Sequence, residues 1–118
     1  MTLIQHSDEK VRFQQQADNS RNYVVPFIEK ELTILPGLKV MDIGCGDGGV
    51  LIPFLEKGCQ CTGIELDEIK SGFARNFLSD YIESGKAEII NQNIYEEKAL
   101  QKYAGQFDLI LLKDVIEH

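Results

Sequence analysis

No apolar run in this chain approaches the roughly 20 residues that a bilayer-spanning helix needs. The opening segment Met1–Lys10 is polar and acidic, unlike a secretory signal peptide. Neither a membrane span nor an export leader is expected, and the cytoplasm is the default location. Cysteine is scarce as well: Cys45, Cys59 and Cys61 cannot complete a disulfide framework. Cys59 and Cys61 would share one face of a strand, where a bond between them is awkward, and no C-x-x-C pair suggests zinc. Reduced, packed thiols are the plainer expectation. Basic charge is also in short supply. Twelve Lys and Arg face nineteen Asp and Glu, for a net charge of −7, and they form no stripe. Duplex binding depends on a basic surface that displaces counterions from phosphates. Nucleic acid is therefore disfavoured as a substrate, and a neutral or cationic small ligand suits this field better.

What is present is an ordinary globular composition, 43% hydrophobic and 26% charged, in 118 residues. That length holds one small core. There is no internal repeat and no low-complexity segment. Ser7, followed by Asp8 and Glu9, reads as the N-cap of a polar helix running toward Ala17. A second helix is expected from about Asn19 or Ser20 through Leu32, with Pro26 early in it, and Pro36-Gly37 as a turn. From Leu38 the period changes. Lys39–Ile43 reads as a strand ending in the cluster Gly44-Cys45-Gly46-Asp47-Gly48-Gly49. Val50–Lys57 reads as a helix, Cys59–Ile64 as a strand, Asp67–Ser84 as a helix and Ala87–Asn91 as a third strand. Glu96–Tyr103 reads as a short helix and Phe107–Leu112 as a fourth strand.

Strands alternating with helices imply βαβ units, an α/β fold with a parallel sheet and helices on both faces. Right-handed crossovers leave little freedom in the winding; the order 3-2-1-4 follows if the reversal comes after the third strand, which puts a ligand crevice at the carboxyl end of the first. Residues 1–37 are expected as a helical appendage, covering one face or the crevice, and 38–118 as the ligand-binding domain.

A glycine cluster between strand and helix lets backbone approach a ligand closely. Gly44, Gly46 and Gly49 satisfy G-x-G-x-x-G, a weak motif by itself. Glu65, at the end of the second strand, stands near the offset of roughly 20 residues at which a carboxylate meets ribose hydroxyls. A solvated strand-end glutamate is the bland alternative. Charge separates two nucleoside readings. A dinucleotide brings its pyrophosphate to this loop, and Asp42 and Asp47 would repel it. The same carboxylates suit an ammonium or sulfonium cation.

The run Val40-Met41-Asp42-Ile43-Gly44-Cys45-Gly46-Asp47-Gly48-Gly49 resembles the first motif of class I S-adenosylmethionine-dependent methyltransferases. Gly63-Ile64-Glu65-Leu66-Asp67 resembles their second motif. Phe107–Leu112 with Lys113–His118 is similar to their fourth strand and its exit loop. The resemblance covers Leu38 to His118 and implies a Rossmann-like domain that binds S-adenosylmethionine. It implies that Asp42, Gly44 and Gly46 surround the methionyl part, with Cys45 contributing mainly backbone. Glu65 would hold the ribose, and Leu66 and Ile94 would press the two adenine faces. Asn93 stands where many members have an aspartate that accepts from the adenine amino group, and Lys113 would touch the methionyl end through its backbone.

Asp114, Glu117 and His118 resemble an E/D-x-x-E-H stretch of some small-molecule O-methyltransferases and of some metal-dependent RNA ribose methyltransferases. They could ligate a divalent ion, although a capping acid and an orienting histidine explain them more simply. The D/N-P-P-[YFW] signature of amino-methyltransferases is absent after the fourth strand, against methylation of exocyclic amines of DNA bases. Family members continue through three further strands, so the chain reads as a domain truncated after its fourth strand. Methyl transfer by this half alone is doubtful, no catalytic residue is assigned, and the fourth strand's edge is expected to pair with another copy. The leading expectation is methyl transfer to a small-molecule acceptor. The alternatives are an NAD-type oxidoreductase domain and a non-catalytic cofactor-binding or scaffold domain.

Overall fold

Val40, Met41 and Ile43 lie in a strand that is buried on both faces, as the centre of a parallel sheet requires. A computed structural model describes residues 2–93, 101–103 and 105–112, with side chains from residue 8 onward. Its sheet comprises β1 (Lys39–Ile43), β2 (Gln60–Ile64), β3 (Ala87–Ile90) and β4 (Leu109–Leu111). The strands run parallel in the order β3-β2-β1-β4, the order expected when the winding reverses after the third strand. The register places Ile43 beside Ile64 and Ile64 beside Ile90. Three strands therefore finish level, and the segments that follow them leave from one end of the sheet.

One face of the sheet presents Val40, Cys61, Ala87 and Ile89 to the larger core, with Val25, Leu51, Phe54, Ala74 and Leu78 from the helical layer. The other face presents Met41, Ile43 and Ile64, packed against Ile90, Tyr103 and Phe107. Tyr103 belongs to the helical residues 101–103. All three cysteines are buried, as expected of packed thiols. Burial raises the pKa of Cys59, and it raises that of Cys61 far more, with Cys59 and Asp42 nearby adding to it.

The N-terminal region corrects the sequence reading. Ser7 lies within a helix and not at its start: α1 runs from Thr2 to Asn19 and continues without a break. A π-helical turn, Ser20–Val24, joins it to α2 (Val25–Glu29). Two causes converge on this turn. Pro26 has no N–H to offer the carbonyl four residues back, and Val25 N–H reaches Ser20 O, five residues back. Ser20 is fully buried, and its hydroxyl donates to Val50 O at 2.7 Å. A polar residue that looked like a helix start is thus an anchor inside one.

The other departures are smaller. The helix expected over Val50–Lys57 opens with a 3-10 turn (Gly49–Leu51) before α3 (Ile52–Glu56). The long helix expected over Asp67–Ser84 is two, α4 (Glu68–Phe77) and α5 (Ser79–Glu83). They divide at Leu78, which turns fully into the core. Asp67 caps α4, its carboxylate accepting from Ile69 N at 2.9 Å and Lys70 N at 3.2 Å.

Candidate functional site

The level strand ends bring the β1 exit, the β2 exit and the β3 exit together. After β1 the backbone crosses to β2: Gly44 N and Cys45 N both donate to Ile64 O, at 2.8 and 3.1 Å. Gly46 then takes a left-handed conformation, with φ of +57°, that side chains resist. Its N–H donates to Glu65 Oε1 at 2.7 Å, while Glu65 Oε2 accepts from Asp67 N at 2.9 Å. The two segments that sequence reasoning paired are joined by a charge-assisted bond. Each carboxylate oxygen keeps a second acceptor site, so Glu65 can still receive hydroxyl donors.

Leu66 is 66% exposed, an apolar side chain held out at the mouth of this junction. Asn91, absent from the sequence reading of the site, fixes it there. Its Nδ2 donates to both Glu65 O and Leu66 O at 2.9 Å. The only advance signal was an amide at a strand end, which is too common to single out. Asn93 is half-buried two residues further on. Cys45 is buried with its sulfur in the notch over Gly63, where a Cβ would meet it at 2.8 Å. Its side chain faces the core, leaving its backbone on the loop.

Two loop carboxylates are buried, Asp42 and Asp47, each 3% exposed or less. Asp47 pairs with Arg12 of α1 at 3.6 Å. Gly49 N donates to Gln16 Oε1 at 3.2 Å, so α1 reaches the glycine loop at two positions. Sequence reasoning had no means to see this, because the partners are some 30 residues apart and the α1 pattern is polar. Ile94, Lys113, Asp114, Glu117 and His118 lie outside the described residues. Among the described residues, no three His, Cys, Asp or Glu gather in a way that could hold a metal.

A strand, a glycine loop, a helix and an acid on the neighbouring strand end thus stand together at one end of the sheet. A family model described as a methyltransferase domain matches residues 12–118. The chain belongs to this methyltransferase family. It is 38% identical over 84 residues to a ubiquinone biosynthesis O-methyltransferase of Aromatoleum aromaticum, covering 71% of this chain and 34% of that protein. It is 31% identical over 84 residues to a magnesium-protoporphyrin O-methyltransferase of Synechocystis, covering 71% and 34%. The crystal structure of magnesium protoporphyrin IX methyltransferase from Synechocystis, with S-adenosylmethionine bound, superposes with a TM-score of 0.63. That match is 26% identical and covers 95% of this chain and 50% of the other. The chain thus spans about a third of the length of the curated relatives it matches. The methyltransferase domain match begins at residue 12, within the helix that carries Arg12 and Gln16.

Proposed function

We propose that this chain is the cofactor-binding half of an S-adenosylmethionine-dependent methyltransferase whose acceptor is a small molecule, methylated on oxygen. The observation that carries the reading is the junction of Gly46 with Glu65, flanked by the buried carboxylates of Asp42 and Asp47. It sets a hydroxyl acceptor beside a loop whose carboxylates, one of them paired with Arg12, suit a nucleoside bearing a cationic tail better than a pyrophosphate. The residues fit such a group: among the described residues a Cβ on Gly46 would have only Gln16 Nε2, the end of a flexible side chain, within 4 Å, at 3.7 Å. In this reading Glu65 accepts from the ribose hydroxyls, and Leu66 and Ile94 enclose the adenine. Asn93 accepts from the adenine amino group. Asp42, Gly44, Cys45 and Gly46 line the methionyl part, and Lys113 meets its far end through backbone. S-adenosylmethionine supplies an electrophilic methyl group on sulfonium, and the protein's contribution is binding and orientation. The curated relatives named as O-methyltransferases support an oxygen acceptor.

The net charge of −7 opposes a nucleic acid acceptor. No helix among the described residues is long and apolar enough to cross a membrane, and buried thiols suit a cytoplasmic setting. Residues 1–37 serve as the helical appendage to the domain, and a second copy of the chain pairs with the β4 edge. With the family shown, the dinucleotide alternative has no observation left to favour it.

Calorimetric titration with S-adenosylhomocysteine, with NADH in parallel, tests the reading. The expected result is binding of the former alone, weakened by about tenfold or more in Glu65→Ala through loss of a charged hydrogen-bond acceptor. Binding of NADH alone would overturn it.

A further inference from the structure

α1 does more than cover the sheet. It touches the glycine loop from successive helical turns, through Arg12 to Asp47 and through Gln16 to Gly49 N–H. A Cβ on Gly49 would collide with Phe13 O and would lie 2.7 Å from Gln16 Cβ, so helix and loop meet backbone to backbone. Asp47 is the telling member. Its side chain is 3% exposed, and its Oδ1 is shut off from solvent with no hydrogen-bond partner among the described residues. A carboxylate in that position is costly unless a counter-charge accompanies it. The half-exposed guanidinium of Arg12 is that counter-charge, and it comes from outside the strand-loop-helix unit.

We infer that Arg12 and Gln16 are positioning residues for the amino-acid end of the cofactor, holding the Gly46–Gly49 backbone in its binding conformation through Asp47 and Gly49. The inference rests on the cofactor reading above and goes beyond it by making α1 part of the site. The two ends of the ligand are then controlled unequally. Leu66, Asn91 and one oxygen of Glu65 are fixed by contacts within β2, β3 and their exits, and only the other oxygen of Glu65 reaches the loop, at Gly46, so the nucleoside end depends on α1 less than the amino-acid end does. Preorganised loop backbone is what the amino-acid end binds.

Methylthioadenosine carries the nucleoside and sulfur without the amino-acid tail, and its comparison with S-adenosylhomocysteine isolates the effect. Calorimetry would be run on this chain with both ligands for the unsubstituted protein, Arg12→Met, Arg12→Lys and Gln16→Ala. Arg12→Met and Gln16→Ala are expected to lose about 5- to 20-fold in affinity for S-adenosylhomocysteine, in the range of ordinary coupling energies. Methylthioadenosine should change by less than about twofold, and Arg12→Lys should keep most of the lost affinity. A merely structural role would lower both ligands together, and that parallel loss would overturn the inference. Unchanged affinity for both ligands in Gln16→Ala would also overturn it, whether or not Arg12→Met folds. If the unsubstituted chain bound neither ligand, the cofactor reading itself would fall and take this one with it.

Discussion

At the residue scale the site is tied together by polar groups whose hydrogen bonds join one strand end to the next. Glu65 uses one oxygen on Gly46 and the other on Asp67, and Asn91 ties down the carbonyls of Glu65 and Leu66. The thiols behave oppositely, as small apolar fillers. Cys61 is 2% exposed, and desolvation first, then the neighbouring Cys59 and Asp42, push its pKa well above the ordinary 9.0. A thiol whose native pKa is raised stabilises the fold fully below its unfolded value, and that contribution is lost as pH climbs above it. The urea midpoint is therefore expected to fall from about pH 9 upward, at up to about 1.4 kcal/mol per pH unit from this group. Cys61→Ala should flatten that limb of the pH profile. An identical slope in the two proteins would show that the Cys61 thiol is not the group responsible.

Among the elements, the strands and their order were legible because their signals are local. The apolar run Val40–Ile43 stops at a glycine cluster, and Cys61–Ile64 stops at Glu65, so period and punctuation agree. Helix continuity was not legible. Asn19 and Ser20 look like a cap, yet Ser20 sits inside a continuous helical run because its hydroxyl finds Val50 O, thirty residues away. Leu78 divides α4 from α5 for a similar reason, since burial of that side chain outweighs continuation of the helix. Of the site, Glu65 and the glycines could be placed from spacing, whereas Asn91, Arg12 and Gln16 act through tertiary contacts that leave no periodic trace. The closeness of α1 to the loop predicts that Gly49→Ala is destabilising. Its Cβ meets the Phe13 backbone, which cannot swing aside, and overpacking of this kind costs about 1–3 kcal/mol. Urea denaturation would read the loss, and a midpoint equal to that of the unsubstituted protein would show that α1 sits further from the loop.

For the whole molecule, β4 is the outermost described strand on its side of the sheet, with Ile110 50% exposed and Leu112 43% exposed. An apolar strand at an edge offers unpaired backbone to another chain. Light scattering is expected to show concentration-dependent self-association of these 118 residues, weakened in Ile110→Lys. Equal association by both proteins would remove the edge as its cause. The central claim, however, concerns the exit ends of β1, β2 and β3, where the glycine loop, Glu65 and Asn91 are joined by hydrogen bonds and where the proposed cofactor site lies. Amide chemical-shift mapping on adding S-adenosylhomocysteine tests it most directly. The account predicts the largest shifts at Gly44, Gly46, Glu65, Leu66 and Asn93, with a smaller response at Gln16. Shifts confined to other surfaces, or none at saturating ligand, would contradict it.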